Sequence, residues 1–186
     1  FEIERFRPDS EARSSVRTEL GLPHDAQLVG LIGRFEPQKN QLGFIESAAQ
    51  VHRSNPRAHF IMAGHGITLD NPLLKSAVQA SGLEGKFHLL GRRDDIPRIS
   101  AALDVLASSS VGEAFPNVVG EAMACAVPCV VTDVGDSAHL VGDTGRIVPP
   151  RDTEQLAQAL AQVLNLPATD KERLGKTARQ RILENF

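Results

Sequence analysis

Apolar residues in this 186-residue chain fall into short, nearly continuous runs separated by longer stretches with helical spacing. The runs are Leu28 to Gly33, His59 to Gly64, Phe87 to Gly91, Asp104 to Ser108, Pro128 to Asp133 and Gly145 to Pro150. Each is too short for a helix and lacks the strict alternation of a half-exposed strand, so each predicts a strand buried on both faces. Between them, Leu42 to Arg53 has helical spacing that places Leu42, Ile45, Ala49 and His52 on one side. Asn71 to Ser81 follows with Pro72 in its first turn, then Asp94 to Leu103 with an acidic N-terminal end suited to the helix dipole. Asn117 to Ala126 predicts a helix stopped by Pro128. Thr153 to Asn165 and Asp170 to Phe186 close the chain, with Thr153 and Asp170 as cap candidates.

Strand and helix alternating in this way predict an α/β fold: a doubly wound, Rossmann-like parallel sheet of about six strands with helices on both faces. Residues 1–186 read as a single domain. Residues 1–26 form an entry segment with a short helix, and 170–186 the closing helix. In such sheets ligands bind beyond the carboxyl ends of the strands, where the strand order reverses. The loops after the strands are therefore where chemistry is expected.

Composition narrows the field. A 41% hydrophobic, 23% charged chain with formal net charge −3 is an ordinary globular domain without a global pull toward nucleic acid or anionic lipid. It contains no Trp or Tyr, so aromatic platforms for stacked bases are not expected. None of the six histidines has metal-binding spacing. Cys125 and Cys129 match neither a metal nor a redox motif and read as small buried thiols. With no leader-like start and no apolar run of membrane-spanning length, the chain reads as cytoplasmic. Its start at Phe1, without an initiator Met, suggests a piece of something larger.

Three loops carry candidate chemistry. After the first strand, Gly33 permits close backbone approach, Arg34 can fork onto phosphate oxygens, and Lys39 supplies a mobile point charge. The glycine patterns of a P-loop or dinucleotide fingerprint are missing, and by spacing alone Arg34 and Lys39 are equally well two solvated cations. Gly64, in Ala63-Gly64-His65-Gly66, ends the second strand in a turn on which a ligand could sit. Between the fourth strand and the next helix, Glu113 and Glu121 flank Phe115, Pro116, Asn117 and Val118. Gly112 and Pro116 break any continuous helix, leaving Glu113 on the loop and Glu121 in the early helical turns. The amides of Asn117, Val118 and Val119 then stand unpaired at the helix start, where they suit a diphosphate or a sugar hydroxyl. Glu121 suits a vicinal diol such as ribose; the plainer alternative is that it only favours the helix dipole. A glycosidase would need its two carboxylates on opposite sides of a bond, which suits this arrangement less well.

Taken together, Gly33-Arg34 with Lys39, the AGHG turn, Leu89 to Ser110, and above all Glu113 and Glu121 with seven residues between them resemble the C-terminal domain of glycosyltransferase family 4. The resemblance runs over nearly the whole chain, including the Arg5 to Asp9 entry. It implies half of a GT-B fold, with a facing N-terminal acceptor domain outside this sequence, and a retaining sugar transfer from a UDP- or GDP-activated donor. It implies catalytic roles for Glu113, Arg34 and Lys39: the two cations on the diphosphate, Glu113 on the transferred sugar. Glu121 is implied to hold the ribose, the backbone at Phe115, Asn117 and Val118 to line the sugar and phosphate, and Gly91 and Arg92 to border the base, with Gly33 and Gly64 completing the donor site. No metal or cofactor is implied, since Arg34 and Lys39 take the electrostatic part. The implied acceptor is a glycan or lipid-linked glycan bound through the N-terminal domain, with peripheral membrane contact in the longer protein and a role in cell-surface glycan synthesis. A non-catalytic nucleotide-sugar-binding module and a nucleotide-sugar epimerase of related fold are the alternatives. The sequence departs from the family pattern in two places. Ala126 stands where Gly is usual, which is expected to affect only packing, and Asp136 and His139 stand where Gly-Gly followed by Glu is common.

Overall fold

The computed structural model describes all of residues 1–186. Six parallel strands form one sheet: β1 (Gln27–Ile32), β2 (Ala58–Ala63), β3 (Phe87–Leu89), β4 (Val105–Ser108), β5 (Cys129–Thr132) and β6 (Arg146–Val148). Their order is β3-β2-β1-β4-β5-β6, so the direction of winding reverses between β1 and β4. The predicted doubly wound sheet of six strands is what the chain forms.

Alternation along each strand sorts the core into two layers. Val29, Leu31, Phe60 and Met62 face one side, under α2 (Gln41–Ser54), α3 (Pro72–Ser81) and α7 (Thr153–Leu164). There Phe44 meets Phe60 edge-on at 6.2 Å, and Phe60 stacks on Phe87 at 5.1 Å. Leu28, Ile61, Ala63 and Val131 face the other side, under α1 (Ser10–Glu19), α4 (Ile96–Ala102), α5 (Asn117–Ala124), α6 (Ser137–Val141) and α8 (Ala168–Asn185). Both cysteines are buried and unbridged, and burial pushes the Cys125 thiol up to about 12, which makes it inert at neutral pH.

Several local expectations are corrected. The buried face of α2 is Phe44, Ile45, Ala48 and Val51, while Leu42 is 44% exposed and His52 only partly covered. Phe44 decides this, because its ring reaches the aromatic cluster over β2 and β3. Asp152, not Thr153, caps α7 by accepting from the Gln155 amide, and α8 begins at Ala168, placing Asp170 inside its first turn. Asp95 makes no capping bond to α4; its carboxylate is taken by Arg93 and Arg98. Short α6 has no apolar period long enough to be read from sequence.

Ala126 changes more than packing. It follows α5 with φ +58, in the left-handed region, while its amide bonds Met123 O and the Val127 amide bonds Ala122 O. That is a helix-ending motif built for glycine, so a Cβ here carries backbone strain.

Candidate functional site

The reversal between β1 and β4 opens a crevice at the carboxyl ends of these strands, and the two loops that leave them form its walls. Loop β1–α2 runs from Gly33 through a single 3₁₀ turn, Pro37–Lys39, to the α2 cap Asn40. Loop β4–α5 runs from Ser109 to Pro116. The two are stitched together: the Val111 amide bonds Gln38 O, Gln38 Nε2 bonds Gly112 O, and Ser109 Oγ reaches the carbonyls of Lys39 and Asn40.

Three glycines align the floor beside this crevice. The Gly33 amide bonds Ala63 O at 2.8 Å, and the Gly64 amide bonds Gly91 O at 2.7 Å. A Cβ on Gly64 would come 2.1 Å from Gly33 O, so only glycine lets the loops after β1 and β2 meet. Gly135, in the loop before α6, does the same for the other wall: it has φ +50, and a Cβ would lie 2.2 Å from Glu113 O. The next amide, Asp136 N–H, donates to Ala114 O at 3.0 Å.

Glu113 is thus fixed by its backbone and by its side chain. Its Oε1 accepts from Lys39 Nζ and from Ser110 Oγ, each at 2.6 Å. Ser110 is itself buried, and its carbonyl accepts from Thr132 Oγ1 at 2.6 Å. Arg34 lies in the open, paired with Glu36 at 2.6 Å, while its carbonyl is held by the buried Gln41 Nε2. Arg92 is more exposed still and only loosely faces Asp94, 3.9 Å away.

Glu121 is the opposite case. It is half-buried on α5, has no hydrogen-bond partner within the chain, and its carboxyl is pushed up by burial and secondarily by the charge of Glu2. A charged acceptor held this way, without donors, is placed to take hydroxyls from something else. The helix start beside it differs from the expectation. The Asn117 and Val119 amides are already used, on Phe115 O and Pro116 O. The amides of Glu113, Ala114, Phe115 and Val118 donate to no acceptor within the chain, so the loop offers more free donors than the helix end. The Phe115 ring turns away to stack on Phe1 at 5.9 Å. No group of three or more His, Cys, Asp or Glu side chains is arranged to hold a metal ion.

This geometry can be set beside known proteins. A family model described as "Glycosyl transferases group 1" matches residues 26–166. The chain belongs to the group 1 glycosyl transferases. As a member of that family it is 30% identical over its whole length to UDP-Gal:alpha-D-GlcNAc-diphosphoundecaprenol alpha-1,3-galactosyltransferase of Escherichia coli, covering 48% of that protein. It is 33% identical to a D-inositol 3-phosphate glycosyltransferase of Saccharomonospora viridis, over 89% of this chain and 41% of the relative. The chain therefore spans less than half the length of each. Among solved structures, Anabaena HepE in complex with UDP and glucose superposes over the whole chain with a TM-score of 0.89 at 28% identity, covering 51% of that protein. The sheet and helices thus agree with the Rossmann-like half of a GT-B glycosyl transferase.

Within this glycosyl transferase domain, the predicted residues divide by what the fold does with them. Gly64 and Gly91 are joined by a backbone hydrogen bond, Gly33 packs against Gly64 and bonds Ala63, and Lys39 and Glu113 form an ion pair. Phe115, Asn117, Val118 and Glu121 share one loop and helix start. Arg34 and Arg92 pair with Glu36 and Asp94 and make no side-chain hydrogen bond or ion pair with the others. Asp136 serves the crevice through its amide, and exposed His139 packs against the edge of Phe186 at 5.7 Å. Sequence reasoning missed Gln38, Ser109, Ser110, Thr132 and Gly135. The only signal was the Ser108-Ser109-Ser110 run at the end of an apolar strand, where three hydroxyls must find partners.

Proposed function

We propose that this chain is the donor-binding half of a retaining family 4 glycosyl transferase that uses a nucleoside-diphosphate sugar, with UDP as its nucleotide. The observation that carries the reading is Glu121: a half-buried carboxylate with no partner, beside free backbone amides, at the reversal in strand order. Glu121 accepts both hydroxyls of the ribose. Lys39 and Arg34 hold the diphosphate and offset charge on the departing nucleotide, which makes a divalent metal unnecessary. The amides of Phe115 and Val118, together with the Asn117 segment, contact phosphate and sugar. Gly91 and Arg92 border the base, and Glu113 receives a hydroxyl of the transferred sugar. Support for a UDP donor comes from HepE, solved with UDP and glucose, and from the E. coli relative, which is named for UDP-Gal.

In the reaction, the bond from the anomeric carbon to the diphosphate oxygen breaks, and the nucleoside diphosphate leaves with the electron pair. The acceptor hydroxyl oxygen bonds that carbon on the same face and passes its proton to a diphosphate oxygen. The acceptor is a glycan or lipid-linked glycan, in keeping with the diphosphoundecaprenol named for the E. coli relative, and reaches the sugar from a second domain. No helix here is long and apolar enough to cross a membrane. We place the work on the cytoplasmic side, with membrane contact made outside this domain. Residues 1–186 alone should bind donor and transfer nothing.

Calorimetry with UDP tests the assignment. Glu121→Ala and Lys39→Ala should each weaken binding by roughly tenfold or more, the loss of a charged hydrogen bond. UDP affinity unchanged in both variants would overturn it.

A further inference from the structure

The lysine assigned to the diphosphate is paired with the carboxylate assigned to the sugar. Lys39 Nζ lies 2.6 Å from Glu113 Oε1, with the side chains 21% and 9% exposed, and Lys39 makes no other side-chain hydrogen bond. We propose that this pair is a latch: the donor's diphosphate draws Lys39 off Glu113, and the released carboxylate then accepts the sugar hydroxyl. This rests on the donor-site reading above and adds a coupling to it, since diphosphate capture takes the lysine from Oε1 of Glu113 and leaves the whole carboxylate to the sugar.

The surroundings let one partner move and not the other. Ser110 Oγ holds the same Oε1 at 2.6 Å and is fixed in turn by Thr132, so Glu113 keeps its position when the lysine leaves. Gly135 and the Asp136 amide brace the backbone behind it. The Lys39 backbone is equally anchored, its carbonyl bonded by Ser109 Oγ at 2.8 Å, but its charge sits on four flexible carbons. A diphosphate carries more charge than one carboxylate and can win the ammonium, provided it first meets the cost of breaking a well-shielded pair. Arg34 meets no such cost: its pair with Glu36 is solvent-exposed and worth little.

A double-mutant cycle on UDP affinity tests the latch, using the wild-type chain, Glu113→Gln, Lys39→Met and the double variant. Glu113→Gln keeps the side-chain volume and removes the charge, so UDP should bind it about fivefold more tightly than wild type. In the Lys39→Met background the same change should gain less than about twofold, because no latch remains to open. Glu113→Ala gives the same comparison if the Gln variant fails to fold. A tightening of equal size in both backgrounds would be plain repulsion between Glu113 and the diphosphate; it would overturn the latch and leave the donor site standing. Equal UDP affinity in Glu113→Gln and wild type would also overturn it. UDP binding to none of the four proteins would remove the donor reading and the latch together.

Discussion

Carboxylates meet cations at both ends of this sheet, and the two arrangements differ in what they leave unsatisfied. At the amino end of the strands, Asp104 accepts from Arg13 at 2.6 Å, Arg17 at 2.7 Å and the Leu28 amide at 2.7 Å. The same guanidinium groups bond the carbonyls of Ala26, Ala102 and Leu103, tying α1 to the starts of β1 and β4. Both oxygens of Asp104 are used, and the one donor of this network left buried without a partner is Arg17 Nε. At the carboxyl end, only Oε1 of Glu113 is used, the Glu121 carboxylate has no partner, and the amides of Glu113, Ala114, Phe115 and Val118 donate to nothing within the chain. A closed network rigidifies, whereas an open one keeps its hydrogen-bonding capacity for a ligand. The closed end should govern stability and the open end binding.

The strongest test of that division is Asp104→Ala. It strands two guanidinium groups and should cost about 3 kcal/mol in urea unfolding, the low end for breaking a shielded pair because Arg13 is 36% exposed. A cost below about 1 kcal/mol would erase the contrast. Next comes acid, which acts at the same end. Lys86 Nζ donates to His59 Nε2, so the His59 proton sits on Nδ1 and points to His88 Nε2 3.2 Å away. Burial, followed by the Lys86 charge, pushes the His59 imidazole down to about 4, and burial lowers His88 as well. The folded chain therefore resists protonation that the unfolded chain accepts. Stability holds above pH 6.5 and falls by about 2–3 kcal/mol as pH drops toward 4. Thermal unfolding across that window should show the full pH dependence in wild type and a much flatter one in His59→Asn; equal slopes in the two would rule this imidazole out as the cause.

Smaller effects sharpen the comparison. Ala126→Gly relieves the left-handed Cβ and should raise stability by about 0.5–1 kcal/mol, read as a higher unfolding midpoint with UDP affinity unchanged. Least of all, Glu121→Gln removes a charge that burial disfavours, so stability should stay level or rise by no more than about 0.5 kcal/mol while UDP binding falls. A large stability loss in that variant would make Glu121 a structural group and sink the division between the two ends.

Much of this was legible beforehand. Continuous apolar runs such as His59 to Gly64 marked parallel strands and all six were readable, but the expectation of burial on both faces fails for β3 and β6, which lie at the sheet edges with Ile147 41% exposed. Gly33, Gly64 and Gly91 were visible as strand ends, and Glu113 and Glu121 as acids split by a helix start. Helix faces and caps were less legible: the period of α2 fitted Leu42 as well as Phe44 until an aromatic cluster existed to choose between them. Asp152 and Thr153 were both fair caps, and one hydrogen bond to the Gln155 amide decided the matter.

The sequence by itself determined the layering, because a run of residues without polar alternation has nowhere stable to lie except inside a parallel sheet. It also determined which loops could hold a ligand, since glycine, proline and charge at strand ends are local properties. Tertiary structure alone decided which charges are free. Lys39 and Glu113 are 74 positions apart, and only the reversal between β1 and β4 brings their loops to 2.6 Å. Whether a carboxylate is neutralised, like Asp104, or left open, like Glu121, depends on donors delivered from distant elements, and no local pattern encodes that distance.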